Sequence, residues 1–416
     1  MNSQTLSIAF VFFLVLSTVI RLWLSIRQAA HVRTHRGAVP AEFAASIDLA
    51  AHQKAADYTV AKSRYGRIDL ALGIVWLLLL TFGGGLQVLH EQLGRVLDPT
   101  SLWHGIALFG ALGVLGFLWE LPGSLYVTFV LEEKFGFNKT TAATFITDLV
   151  KSTTLSVLIG APLLWVVLWL MRSMGSDWWL WTWGVLIAFN LAAMVIYPIF
   201  IAPLFNKFEP LKDEALAARI NALLTRCGFK SKGLFVMDGS KRSAHGNAYF
   251  TGFGAAKRIV FFDTLLATLT PEEVEAVLAH ELGHFKHRHI WQRVALFAVL
   301  SLALFAVLGW LSQQAAFYNG LGVQAQSEAL ALILFSLALP LVTFPLTPLM
   351  SFWSRKHEFE ADAYAVANAQ ASDLVTALAK LYRDNASTLT PDPLHSLFYD
   401  SHPPAAIRIG RLQGKA

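Results

Sequence analysis

Seven long apolar stretches constrain the fold of this chain more than any other feature of its sequence. A transmembrane α-helix needs about 20 mainly apolar residues, and each stretch reaches or approaches that length. Of the 416 residues, 55% are hydrophobic and only 15% are charged, whereas about 25% are charged in a soluble domain. The sequence therefore predicts a mainly α-helical polytopic membrane protein with seven transmembrane helices. The predicted spans are approximately Leu6–Ile26, Leu70–Leu89, Leu102–Leu118, Leu155–Met171, Trp178–Phe205, Ile290–Leu311 and Ala329–Met350.

Basic residues predict how these spans are oriented. Connections rich in Lys and Arg alternate with connections that are poor in them, as the positive-inside rule requires of seven spans. The fifth connection is strongly basic, and the sixth, residues 312–328, has no Lys or Arg. We therefore expect the amino terminus outside, and the fifth connection and carboxyl terminus on the cytoplasmic side. The net charge of +5 is typical of such loops, and without a nucleic-acid motif it predicts no nucleic-acid partner.

One motif in the fifth connection indicates a specific chemistry. His280–His284 spells H-E-x-x-H. On a helix, residues four apart project from nearly the same face, so both imidazoles can bind one zinc ion while Glu281 acts as general base beside it. Thr270 and Glu273 form a T-x-x-E capping box upstream. We expect this helix to run on into the sixth span.

The polar segments divide the chain into four regions. Their boundaries are 1–205 for the membrane region with spans one to five, 206–289 for a cytoplasmic catalytic segment, 290–350 for spans six and seven, and 351–416 for a cytoplasmic helical tail. The catalytic segment is predicted to be a small α/β domain. Its predicted elements are a helix at Lys212–Arg226 and β-rich runs at Leu234–Met237, Asn247–Thr251 and Arg258–Phe262.

A catalytic zinc ion needs a third protein ligand. Glu358 and Asp362 lie just beyond the seventh span, four residues apart and so on one helical face. They could supply a metal-binding carboxylate and a second carboxylate that fixes a histidine tautomer. From the residues alone, an ordinary solvated helix explains them slightly better. His287 and His289 are closer in sequence, but their basic surroundings near the membrane favour a solvated interfacial role.

Several motifs occur together in one order. His280–His284 is followed, two spans later, by Arg355-x-x-Glu358-Phe359-x-Ala361-Asp362. Four further stretches accompany them: Glu132–Lys139, Pro203–Phe208, His245–Phe250 and Ser401–Pro404. In these motifs the chain resembles, over essentially its whole length, the type I CAAX prenyl proteases, integral-membrane zinc endopeptidases related to HtpX. The resemblance implies a seven-span protein with a gluzincin-like zinc-metallopeptidase domain on the cytoplasmic side.

The resemblance also implies roles for individual residues. His280, His284 and Glu358 would bind one Zn²⁺ per chain. Glu281 would be the catalytic base, and Asp362 would contact one of the metal ligands. The H-E-x-x-H motif predicts two ligands and the base, and the resemblance adds the third ligand from the helical tail, which would complete the zinc site.

Three more residues are candidates for the site, and two of them, His402 and Arg408, match positions near the family's active site. Asn247 lies in a strand-like run that could bind an extended substrate by edge-strand pairing. His402 would be a catalytic residue that stabilises the oxyanion, and Arg408 would contact substrate. His402 and Arg408 have simpler alternatives: a histidine before two prolines is often a turn residue, and a basic residue in a cytoplasmic tail is usually solvated.

The implied function is endoproteolysis of a peptide or protein substrate at the lipid bilayer. The resemblance implies removal of the last three residues beside a prenylated cysteine. A broader HtpX-like role in clearing damaged membrane proteins is the alternative. The expected location is a bacterial inner membrane, with the endoplasmic reticulum membrane as the alternative.

Two readings from other functional classes stay open. A transporter with a regulatory metal should carry ionisable residues inside several spans, and Glu120 is the main candidate of that kind. A metal-binding scaffold without catalysis would give Glu281 no purpose between the two histidines. The sequence thus favours a zinc metalloendopeptidase over both.

Overall fold

Long helices dominate the membrane region of the computed structural model, which describes residues 2–251 and 257–414. Within those residues, six helical segments are long and apolar enough to cross a bilayer. The number becomes seven only if one bent helix pair is counted as a single span. The helices up to residue 205 are α1 (Ser3–Thr34), α2 (Leu49–Leu80), α3 (Gly85–Gly94), α4 (Leu102–Tyr126), α5 (Ala142–Ser173), α6 (Trp178–Ile196) and α7 (Ala202–Phe205). Val127–Glu132 and Tyr197–Ile201 extend α4 and α6 as π-helix.

The bent pair is α2 and α3, which meet at 49°. The sequence predicted one span at approximately Leu70–Leu89, but α2 ends at Leu80 and α3 begins at Gly85. Gly84 has a φ of +72°, which suits glycine, and a Cβ at Gly85 would lie 2.7 Å from the carbonyl oxygen of Leu79. Successive glycines therefore allow a sharp turn inside an apolar run.

The segment after α7 forms the small α/β domain that the sequence predicts. Its elements are β1 (Phe208–Pro210), α8 (Glu214–Arg226), β2 (Leu234–Met237), β3 (Ala248–Thr251), β4 (Arg258–Phe262), α9 (Asp263–Leu266) and α10 (Pro271–Lys286). In the part of the chain that the structure describes, the sheet order is β1-β2-β4-β3. β2 and β4 are parallel and match the predicted strands, while β1 and β3 pair antiparallel at the two edges. The prediction missed β1.

Helix α10, which carries the H-E-x-x-H motif, begins at the predicted capping box. Glu273 accepts a hydrogen bond from the Thr270 backbone N–H at 2.8 Å, and the Thr270 hydroxyl accepts one from the Glu273 N–H at 3.4 Å. The apolar face of α10 packs on α8 and β4, where Ile220, Phe261 and Leu278 are fully buried. This packing fixes the motif against a rigid core.

The expectation that α10 runs on into the sixth span is wrong. The helix ends at Lys286, Arg288 adopts the left-handed conformation with φ 57°, and α11 begins at His289. The chain therefore changes direction immediately after the motif, which turns the side chain of His289 back toward it.

The remaining helices return the chain to the motif. They are α11 (His289–Leu311), α12 (Ala315–Gly320), α13 (Glu328–Thr343), α14 (Thr347–Asn368), α15 (Ala371–Asp384), α16 (Pro393–Tyr399) and α17 (Ala405–Leu412). Helix α14 packs closely against α10, because Gly283 leaves room there for the backbone of Ala361. This contact brings the two sequence-distant motifs together.

Candidate metal centre and adjoining cavity

Three side chains converge between α10 and α14. His280 Nε2 lies 3.3 Å from His284 Nε2. Each of these nitrogens lies 3.4 Å from a carboxylate oxygen of Glu358. Among the described residues, Glu358 Oε2 is buried without a hydrogen-bond partner. The structure thus brings together the three residues that the sequence proposed as ligands, although two spans separate them along the chain.

The spacing of these atoms fits a tetrahedral metal ion. With zinc–ligand distances of about 2.0–2.1 Å, two ligand atoms of a tetrahedral site lie roughly 3.3–3.4 Å apart, and imidazole and carboxylate are usual donors. The group also attracts positive charge. Burial lowers the pKa of His280, but its contacts with Asp362 and Glu358 outweigh burial and raise that pKa to about 9. A divalent cation would therefore replace a proton that the site already favours.

Asp362 contacts the nitrogen of His280 that points away from the candidate metal group of His280, His284 and Glu358. Its carboxylate lies 2.8 Å from His280 Nδ1, so Nε2 is the nitrogen that faces Glu358 and His284. Arg408 on α17 donates two hydrogen bonds to Asp362, at 2.5 and 2.9 Å. Glu358, Asp362 and Arg408 are only 2%, 5% and 5% exposed. The alternatives of a solvated helix for the two acids and a solvated tail residue for Arg408 are therefore wrong.

Glu281 lies at the wall of a cavity of about 1050 Å³. His280 and His402 share this wall, and residues of α1 and α2, among them Arg21 and Leu70, line the same cavity from the membrane region. Burial raises the pKa of the Glu281 carboxyl above its usual value. A carboxylate with a raised pKa is better suited to accept and return a proton near neutral pH.

His402 lies in the turn between α16 and α17. Its Nε2 is 3.5 Å from Glu358 Oε1, and the side chain is 62% exposed. His402 is therefore a turn residue, as its simpler interpretation holds, but it also lies next to the candidate metal group. A donor that is both close to the group and open to the cavity can reach a bound substrate.

Asn247 immediately precedes β3 and also lines the cavity. Among the described strands, β3 is an edge strand of the sheet, and an edge strand is the kind of element that can pair with an extended peptide. His245, two residues earlier, bonds through Nδ1 to Asn385 Oδ1 at 3.1 Å. Asn385, just after α15, also accepts a hydrogen bond from Gly246 N–H. Nothing in the local sequence marks Asn385, so it was not among the predicted site residues.

The two histidines that follow the motif differ. His287 is exposed, in agreement with the interfacial interpretation. His289 is 1% exposed, so the same interpretation is wrong for it. It bonds to His284 and to Glu360, and with His357 and Glu360 it forms a second cluster of donor atoms beside the first. Basic neighbours had favoured a solvated role for His289, and no general motif assigns a function to a histidine five residues after H-E-x-x-H.

Two family descriptions match consecutive parts of the chain. The amino-terminal domain of CAAX prenyl proteases, described as five membrane helices, matches residues 28–207. Peptidase family M48 matches residues 210–416. The boundary between the two matches falls at the start of the α/β domain.

Similar proteins cover nearly the same length. The chain is 34% identical to a CAAX prenyl protease 1 homolog of Arabidopsis thaliana, over 97% of this chain and 96% of that protein. It is 39% identical to CAAX prenyl protease 1 of Saccharomyces cerevisiae, over 75% and 73% of the two chains. The crystal structure of Ste24p from S. mikatae superposes with a TM-score of 0.91 at 33% identity, covering 98% of this chain and 99% of that one.

Proposed function

This chain belongs to the CAAX prenyl protease 1 family of M48 metallopeptidases, and from that premise we propose that it is a zinc endopeptidase that removes the carboxyl-terminal tripeptide of prenylated CAAX proteins. The observation that carries the proposal is the cavity beside the candidate metal group. One wall of the cavity holds His280 and Glu281, and another comes from the membrane helices α1 and α2. A chain end that carries a lipid is already concentrated at such a boundary.

The proposed metal ligands are His280, His284 and Glu358. Zinc would supply Lewis acidity there, activating a water molecule and polarising a peptide carbonyl. Asp362 accepts a hydrogen bond from His280 Nδ1 and so keeps the other nitrogen available for the metal. The chain's own contribution is thus a pre-oriented set of two imidazole nitrogens and one carboxylate.

Glu281 carries the proposed proton transfers. Its carboxylate takes a proton from the attacking water and delivers it to the leaving amine. His402 donates a hydrogen bond to the substrate oxygen as negative charge develops on it. Asn247 and the open edge of β3 align the substrate backbone in the cavity. Arg408 supports the site by holding Asp362, and its guanidinium also lines the cavity where substrate would bind.

The substitution Glu281→Gln tests the catalytic proposal. It removes the proton acceptor but none of the proposed ligands, so kcat should fall by roughly 10²–10⁴-fold while metal content is retained. Glu272→Gln is the matched control, because it makes the same change at an exposed residue in the first turn of α10. Peptide cleavage and metal content are measured on detergent-purified protein. Full activity in Glu281→Gln would rule out the proposed base.

The substrate class is tested with paired peptides that differ only in a prenyl group on the cysteine. Preferential cleavage of the prenylated peptide, at the bond after the modified cysteine, is the expected result. Equal cleavage of both peptides would instead favour the broader quality-control role. The same comparison in Glu281→Gln supplies the background for both peptides.

We also propose that the α/β domain faces the cytoplasm. Lys212 is 83% exposed on this domain, and Gln313 lies in the connection after α11, on the opposite side of that span. In a Cys227→Ser background, Gln313→Cys should react with an impermeant thiol reagent in intact cells, and Lys212→Cys only after permeabilisation. The reverse pattern would overturn the orientation. The identity of the membrane, bacterial plasma membrane or endoplasmic reticulum, stays a prediction.

A further inference from the structure

The two nitrogens of His284 face different partners. Nε2 faces the candidate metal group, at 3.3 Å from His280 Nε2 and 3.4 Å from Glu358. Nδ1 lies 2.9 Å from Nδ1 of His289. His289 in turn places Nε2 2.9 Å from a carboxylate oxygen of Glu360. A continuous chain of contacts therefore runs from the metal group to an acid outside it.

The chemistry of the three groups fixes the direction of every hydrogen bond. An ionised carboxylate only accepts, so Glu360 requires the proton of His289 on Nε2. In a neutral imidazole the other nitrogen is then an acceptor, so His289 Nδ1 accepts a hydrogen bond that His284 donates through Nδ1–H. His284 is left with a free lone pair on Nε2, which is the atom that faces the group. We propose that Glu360 and His289 form a relay that orients His284 and selects its metal-binding tautomer.

The fold explains why a relay is needed on this side. Residues two apart on a helix point about 200° from each other, so Glu360 faces away from the side of α14 that presents Glu358. The interruption between α10 and α11 at Arg288 then places His289 between His284 and Glu360. The His289 ring is 1% exposed and lies parallel to the ring of His357, with centroids 3.8 Å apart. It is therefore packed like a residue of the core.

A second metal ion bound by His289, His357 and Glu360 is the competing interpretation. Their donor atoms are close enough to one another for this. However, the two imidazole planes are stacked at 7°, and nitrogen lone pairs lie in the ring plane, so the rings cannot both direct a lone pair at one ion. Both nitrogens of His289 also already have partners. The geometry favours the relay.

The test measures metal affinity rather than activity, and it rests on the proposed metal centre. Glu360→Gln and His289→Leu should retain the fold but lose metal to a chelator at roughly 10–100-fold lower chelator concentration than the wild type. Cobalt is then substituted for the native metal, and its visible absorption spectrum should change in both variants because the orientation of one ligand is released. Glu360→Gln is the variant that is expected to fold normally, because the Glu360 side chain is 34% exposed.

Two controls separate the possible results. Glu272→Gln makes the same substitution as Glu360→Gln, but at a residue of α10 that is not part of the relay. It should leave metal affinity unchanged. His357→Phe keeps a ring stacked on His289 and should also leave it unchanged. Wild-type affinity and cobalt spectrum in Glu360→Gln would overturn the relay. So would two metal ions per wild-type chain, one of which is lost in His357→Phe. A wild-type protein that binds no metal would instead refute the proposed metal centre itself.

Discussion

The two histidines of the metal group are held in different ways. His280 contacts the carboxylate of Asp362 directly, at 2.8 Å. His284 reaches a carboxylate only through the imidazole of His289, which contacts Glu360 at 2.9 Å. Asp362 is 5% exposed, whereas the Glu360 side chain is 34% exposed. We call His280 with Asp362 the direct arm, and His284 with His289 and Glu360 the relay arm. The direct arm is part of the buried core, and the relay arm extends from the core toward solvent.

This difference follows from the spacing of the acids on α14. Glu358 and Asp362 are four residues apart and face α10 together, while Glu360 faces elsewhere. The buried acid of the direct arm needs a counter-charge, which Arg408 provides through two hydrogen bonds. Breaking a buried charge pair is costly, whereas partly exposed pairs contribute little. The direct arm should therefore couple metal binding to folding stability, and the relay arm should affect metal binding alone.

The largest effect is expected where the two arms meet. Glu358 contacts both histidines, and its replacement in Glu358→Ala removes the only carboxylate proposed as a ligand. Metal content should fall from one ion per chain to near zero, with peptidase activity lost in parallel. Metal analysis of the purified protein measures the first, and circular dichroism checks that the helices remain. Unchanged metal content would remove Glu358 from the ligand set.

A smaller but diagnostic effect is expected from Asp362→Asn. This change removes the charge-assisted hydrogen bonds of the buried Arg408 and leaves it only a 3.8 Å ionic contact with Glu358, so the free energy of unfolding should fall by about 3–5 kcal/mol even when metal is chelated. Glu360→Gln in the relay arm should change that quantity by less than about 1 kcal/mol. Denaturant unfolding in detergent with excess chelator measures both. Equal destabilisation by the two variants would erase the distinction between the arms.

A double variant checks the cause of that loss. In Asp362→Asn with Arg408→Leu, the unpaired buried charge is absent, so part of the unfolding free energy should return. Metal affinity should stay low, because His280 still lacks its carboxylate partner. Recovery of metal affinity along with stability would mean that Asp362 acts on the fold rather than on the histidine.

The direct arm could be predicted from sequence, but the relay could not. A helical spacing of four links His280 to His284 and Glu358 to Asp362, and the family resemblance joins the two pairs. The relay depends on a change of chain direction at Arg288, a non-glycine residue in a left-handed conformation. Nothing in the local sequence marks that conformation, and basic neighbours suggested a solvated role for His289. Burial of a polar residue by distant elements is a tertiary effect.

The same contrast holds for the fold. Strands β2 and β4 and the start of α10 were predictable because apolar runs and a capping box are local signals. The break between α2 and α3 was not predicted, since hydropathy continues through it while three glycines allow the backbone to turn. Length and apolar content predict where a helix can span a bilayer, but backbone geometry decides whether it stays continuous.

A smaller effect than that of Asp362→Asn is expected at the contact between α10 and α14. A Cβ at Gly283 would lie 2.8 Å from Ala361 Cα and 3.1 Å from its carbonyl oxygen, so Gly283→Ala must push α10 and α14 apart. Overpacking of this kind costs about 1–3 kcal/mol of unfolding free energy, and it should weaken metal binding as well, because both arms cross this interface. Gly410→Ala on α17 is the matched control: a Cβ there meets no atom within 4 Å, so stability should rise by about 0.4–1 kcal/mol. If Gly283→Ala lowers stability but leaves metal affinity intact, the arms adjust independently of the helix spacing.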